Sequence, residues 1–225
     1  YNNTAVGYDS QKNSTASNNT SVGFESLYNN TSGQPNDAFG FQALYSNQTG
    51  TSNVAVGFSS GFSCVGNNNS FFGYDSGKNL TTGSNCTAVG YSAEPSSATA
   101  TNEITLGNSS ITALRCQVTS ITSLSDLRDK KDVESLKEMS GLEFVSKLNP
   151  VDFVWNMRDG GKVDIKDQGF IAQELQQLQK ETNIHIPYLV NDVNPDKLEA
   201  SYGRLIPIMV QAIKDLKQEI DELKK

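Results

Sequence analysis

The chain is short of histidine, cysteine and long apolar runs, and its first half is almost without positive charge. One histidine, His185, and three cysteines, Cys64, Cys86 and Cys116, occur in 225 residues. The cysteines are odd in number and lack CxxC spacing, which excludes both a disulfide framework and a zinc site. They read as small buried residues of a reducing compartment, although copies of one cysteine could also meet across an oligomer axis. No metal-ligand or cofactor pattern is present, so no metal and no cofactor is expected. No apolar stretch approaches the roughly 20 residues that span a bilayer, and no basic, apolar leader opens the chain. The chain begins at Tyr1 and reads as a fragment of something longer. A net charge of −7 without a basic cluster argues against nucleic acid as a partner.

What charge there is lies at one end. Residues 1–124 hold three basic groups (Lys12, Lys78, Arg115) and six acidic ones, and are rich in Asn, Ser, Thr and Gly. Residues 125–225 hold the other fifteen basic and nineteen acidic groups. The composition predicts a repetitive shaft over 1–110, a neck over 111–124, and a charged globular domain over 125–225.

The Asn/Ser-rich half is not a disordered tract, because it keeps register. Gly7, Gly23, Gly40, Gly57, Gly73, Gly90 and Gly107 are spaced 16 or 17 residues apart, and each follows an apolar residue: Val6, Val22, Phe39, Val56, Phe72, Val89 or Leu106. An aromatic follows the first six (Tyr8, Phe24, Phe41, Phe58, Tyr74, Tyr91), and Asn stands four places before five of them (Asn3, Asn19, Asn36, Asn53, Asn69). Each unit offers a short strand such as Thr4–Tyr8 followed by Gly/Asn-rich turns. One such unit cannot bury an apolar face alone, but stacked units can, with the Val/Phe positions expected as the buried column. A glycine in every coil implies close backbone approach. Asn-x-Ser/Thr triplets such as Asn13-Ser14-Thr15 match the glycosylation acceptor, but turn chemistry explains them in an Asn/Thr-rich repeat. The pattern resembles the NTAVG-type repeats of trimeric autotransporter adhesin heads and phage fibres, and the resemblance implies a parallel β-roll packed as a trimer. The last unit, Asn102–Asn108, lacks the aromatic and reads as an atypical terminal coil before a β-rich neck, Cys116 to Ile121.

At the composition break stands Ser125-Asp126-Leu127-Arg128-Asp129-Lys130-Lys131-Asp132. Generic rules predict a helix start here, with Ser or Asp as N-cap and an amphipathic run through Leu136, Met139, Leu142, Val145 and Leu148. The segment is also similar, position for position, to the S-D-x-R-x-K-x-D opening of the endosialidase-type C-terminal chaperone of phage tail spikes. Leu148–Phe153, Gly169-Phe170-Ile171-Ala172-Gln173-Glu174, and Ile186–Val190 with Tyr202 resemble its later motifs in order. The resemblance implies self-cleavage at Leu124–Ser125 by a serine–lysine dyad, with Ser125 as nucleophile, Lys130 as base, and Asp126 and Arg128 as orienting groups. The chemistry is coherent: serine needs a base, and a desolvated lysine can replace histidine. Lys131 is the rival base, and His185 lies outside every motif.

Tyr202, Ile206, Met209, Ile213, Leu216, Ile220 and Leu223 alternate in steps of four and three, the seam of a coiled coil over 202–225. The plain alternative is one amphipathic helix packed on its own domain. The fold class expected is thus an all-β repeat shaft, trimeric, followed by an α+β chaperone ending in a long helix. The expected protein is a virion tail fibre or spike, assembled in the host cytoplasm. Its partners would be its own copies and a host-surface receptor or glycan met through the shaft or an upstream region, with no membrane. A non-cleaving trimerisation cap is the alternative. A glycan hydrolase is disfavoured because the six shaft acids sit at turn-like places rather than as a paired site. A membrane-tethered transcription factor would need a basic module and a spanning segment, and an adhesin would need a terminal β-barrel.

Overall fold

A computed structural model describes residues 2–115, 117, 125–136 and 140–225. The chain divides into two compact units, residues 1–112 and 113–225 apart from the short turn 157–162.

The first unit is a parallel β-solenoid. Seven strands follow one another in sheet order: β1 (Thr4–Val6), β2 (Thr20–Val22), β3 (Asn36–Phe39), β4 (Asn53–Val56), β5 (Ser70–Phe72), β6 (Thr87–Val89) and β7 (Ile104–Leu106). Val6 pairs with Val22, Val22 with Phe39, and so on to Leu106, so each sequence repeat is one coil. The glycine after each strand is what permits the stacking. At Gly57 (φ +140°) a Cβ would lie 2.3 Å from the carbonyl oxygen of Gly73 in the next coil.

The interior differs from expectation. The Val/Phe residues before the glycines do not form the buried column; they point outward and are about two-fifths exposed along the stack, from Val22 to Val89. Because strand side chains alternate, the residue before each of them points in: Ser21, Ala38, Ala55, Phe71 and Ala88 are fully buried. Leu27, Leu44, Leu80 and the two cysteines Cys64 and Cys86 complete this core. The coil is too thin to bury both faces of a strand; the inside takes the smaller side chain in most coils, and Phe71 where the facing positions are Gly61 and Gly77.

Two kinds of ladder lock the coils together. Asn3, Asn19, Asn36, Asn53 and Asn69 each accept the backbone N–H of the equivalent residue one coil on, at 2.8–3.0 Å. The amide groups of Asn3, Asn36, Asn53 and Asn69 donate to inward carbonyls, as Asn53 does to Gly66 at 2.8 Å. Outside, Tyr8, Phe24, Phe41, Phe58, Tyr74 and Tyr91 stack with ring centroids 4.6–5.5 Å apart. Tyr28, Tyr45 and Phe62 form a second stack, capped by the Lys12 ammonium.

The second unit is α+β. A 3-10 turn at Leu127–Asp129 leads to α1 (Ser140–Val145), the antiparallel hairpin β8 (Val151–Asn156) and β9 (Val163–Gly169), and α2 (Ala172–Thr182). The short pair β10 (Val190–Asn191) and β11 (Glu199–Ala200) follows, then a 3-10 turn at Tyr202–Leu205 and α3 (Ile206–Leu223). The long helix expected from Asp126 to Leu148 does not form: within the described residues it is reduced to the 3-10 turn and α1. Phe144, Leu175, Leu178, Leu189, Leu205 and Ile208 make the core of this unit. No described helix is long and apolar enough to cross a membrane.

Candidate functional site

The junction segment places its polar groups by a short local device. The Asp126 carboxylate caps the 3-10 turn, accepting the Arg128 N–H at 2.8 Å, while the Arg128 guanidinium forks onto the same carboxylate at 2.5–3.1 Å. That guanidinium holds the Asp126 carboxyl below its usual range. The turn closes with the Lys130 N–H donating to the Leu127 carbonyl. Lys130 is thereby folded back on Ser125: its Nζ lies 2.7 Å from the Ser125 Oγ and 3.3 Å from the Ser125 carbonyl oxygen.

The structure therefore brings together Ser125, Asp126, Arg128 and Lys130. Leu124 lies outside the described residues, as do Cys116, Met139 and most of the expected neck. Every side chain from Ser125 to Leu136 is exposed, including Leu127, Val133 and Leu136. His185 is exposed in the loop after α2, away from any motif. Cys64 and Cys86 are fully buried inside the solenoid, which leaves neither able to reach another chain, and burial pushes the Cys64 thiol up to about 11. Among the described residues no group of side chains could hold a metal ion.

Helix α3 presents two distinct apolar stripes. The heptad seam is left uncovered, with Ile206 at 62% and Ile213 at 67% exposure. A separate stripe, Leu205, Ile208, Ala212 and Asp215, is buried against the helix's own unit. Asp215, almost wholly enclosed, accepts the Leu142 N–H of α1 at 3.0 Å and a hydrogen bond from Gln211. Sequence reading missed this stripe although its 3, 4, 3 spacing is visible; the acid at its end disguises it. Tyr202 joins the seam to the Gly169-Phe170 motif, its hydroxyl bonding both the N–H and the carbonyl of Phe170 at 3.0 Å.

No curated protein matches this chain. A family model does match, over residues 125–184, and it describes a chaperone of endosialidase, a peptidase-related domain. The match begins at Ser125 and takes in the 3-10 turn, α1, the β8–β9 hairpin and α2. Over these residues, about a quarter of the chain, the sequence is similar to the endosialidase-chaperone family.

Proposed function

We propose that this chain is part of a homotrimeric phage tail fibre or spike whose C-terminal domain templates assembly and then severs itself at Leu124–Ser125. The observation that carries the cleavage reading is the 2.7 Å approach of the Lys130 Nζ to the Ser125 Oγ. In this reading neutral Lys130 takes the hydroxyl proton as Oγ attacks the carbonyl carbon of Leu124. The proton passes to the Ser125 nitrogen as the C–N bond breaks, and water then hydrolyses the resulting ester. Asp126 and Arg128 act by holding the turn that aims the lysine. Enclosing the exposed dyad among three chains would exclude water from it and so couple cutting to assembly.

The oligomeric part rests on two exposed apolar surfaces. One is the uncovered seam of α3. The other is the outward Val/Phe column of the solenoid, running beside the six-ring aromatic stack. A monomer seldom exposes an apolar patch beyond about 300–600 Å². Six rings of roughly 150–250 Å² each, some two-fifths to two-thirds exposed, together with seven aliphatic or Phe side chains, exceed it. Parallel coils stacked between chains register slowly and expose strand edges. A domain that trimerises first raises the local concentration of chain ends, and its later removal leaves the shaft kinetically trapped. A host-surface receptor for the shaft or an upstream region completes the proposal.

Denaturing mass spectrometry of freshly folded wild type beside Ser125→Ala and Lys130→Ala tests the cleavage. Wild type split before Ser125 with both variants intact is the expected result. A trimeric but uncut wild type would overturn the cleavage and leave a permanent trimerisation cap.

A further inference from the structure

Helix α3 has a third surface that neither its own unit nor the seam accounts for. At 3.6 residues per turn, the buried stripe Leu205–Ile208–Ala212–Asp215 lies about 90° to one side of the seam. Val210, Lys214 and Lys217 lie about as far to the other side. Val210 is 48% exposed there, an apolar side chain with no partner stripe of its own. The buried flank is covered by α1: a Cβ on Gly141 would lie 2.3 Å from the Ala212 nitrogen, and Asp215 receives the Leu142 N–H.

In a parallel three-helix coil, one flank of each helix faces the opposite flank of the next. The flank that carries α1 on one chain must then face the Val210 flank of its neighbour. We infer that the Val210 flank of α3 docks on α1 of a second copy of this chain, so that each α1 is clamped between its own α3 and the neighbour's. This rests on the homotrimer reading. The chemistries are compatible: α1 offers half-buried Leu142 and exposed Glu143, whose present partner is only the surface Lys147 at 3.5 Å, against Val210 with Lys214 and with Lys217, itself paired to Asp221 at 2.7 Å. The consequence is regulatory. Among the described residues, helix α1 is the first packed element after the dyad segment, whose described side chains are all exposed. Assembly would hold that segment only once a neighbour arrives, which makes the cut conditional on the trimer.

Paired cysteines test it in the full chain. Glu143→Cys with Val210→Cys cannot link within one chain, because the two positions lie on opposite flanks of α3. In a Cys116→Ser background, oxidation is expected to give covalent dimers and trimers on a non-reducing gel, where the parent and each single variant give none. A second measurement uses charge: Lys217→Glu is expected to slow cleavage at least tenfold, and Glu143→Lys in the same chain to restore it, a rescue possible only between chains. A protein that is trimeric by light scattering yet shows neither crosslink nor rescue would overturn the docking while leaving the trimer intact. A monomeric wild type would overturn the homotrimer reading itself.

Discussion

The solenoid interior is filled by trading volume between neighbouring coils. Positions 27 and 44 carry leucine, both at φ +51°, and face the small strand residues Ala38 and Ala55. At the next two coils the same positions are Gly61 and Gly77, and the space is taken by Phe71, whose ring atoms lie 2.3–2.7 Å from where their Cβ atoms would be. Phe71→Ala is expected to cost about 3–5 kcal/mol, measured by chemical unfolding. Adding Gly61→Leu should recover part of that loss, since leucine already holds this backbone conformation at two other coils. Glu94 supplies a different residue-scale effect. Its carboxylate accepts the Asn79 N–H at 3.2 Å, standing in for a further coil, and burial pushes its pKa up to about 7 from 4.5. The folded state then holds the proton more tightly than the unfolded state. Its contribution is full below pH 4.5 and is lost as pH rises toward 7. Glu94→Gln is expected to flatten that slope between pH 4.5 and 7. It should also stabilise the shaft at pH 8 by on the order of 1 kcal/mol, the side chain being half-exposed.

At the scale of the element, α3 separates two tasks that one amphipathic helix would merge. Ile208, on the buried stripe, belongs to the core of the second unit, whereas Ile213 lies on the free seam. Ile213→Asp is therefore expected to leave the unit folded by circular dichroism and to abolish the trimer in sedimentation. Ile208→Asp should unfold the unit instead. Equal effects from both would mean that the seam also packs within its own chain. The Asn ladder shows the same division in the shaft. Its amide groups complete the backbone hydrogen bonding that a coil turning away from its strand would leave unmade, while the outward Val/Phe column stays about two-fifths exposed.

For the whole molecule, the shaft and the C-terminal unit are built on opposite principles. The shaft is quasi-one-dimensional, each coil meeting only its neighbours, and its outer columns repeat with little change from coil to coil. Such a surface can bind another copy at more than one stagger, so it does not by itself define how chains align. The second unit has an ordinary core, with Phe144 and Leu189 fully buried, and an uncovered heptad seam on α3 through which the proposed trimer would align its chains. The cleavable template proposed above would suit this pairing, since alignment is needed while the shaft forms and not afterwards.

The repeat, its period, the coil-to-coil pairing of Val6 with Val22 and onward, the asparagine positions and the heptad were all legible in the sequence, because each is a local spacing enforced many times. The segment Ser125–Lys130 was singled out through its resemblance to a family, and its turn residues fold the lysine back on the serine. Which side of each strand faces inward was not legible. Alternation allows either Ala55 or Val56 to be the buried one, and only the width of the closed coil decides for the smaller. The helix expected from Asp126 to Leu148 failed for a related reason: an apolar periodicity forms a helix only where a core receives it, and Leu127, Val133 and Leu136 meet none within the chain. The two stripes of α3 are alike in spacing, and tertiary packing alone assigned one to the core and left the other exposed.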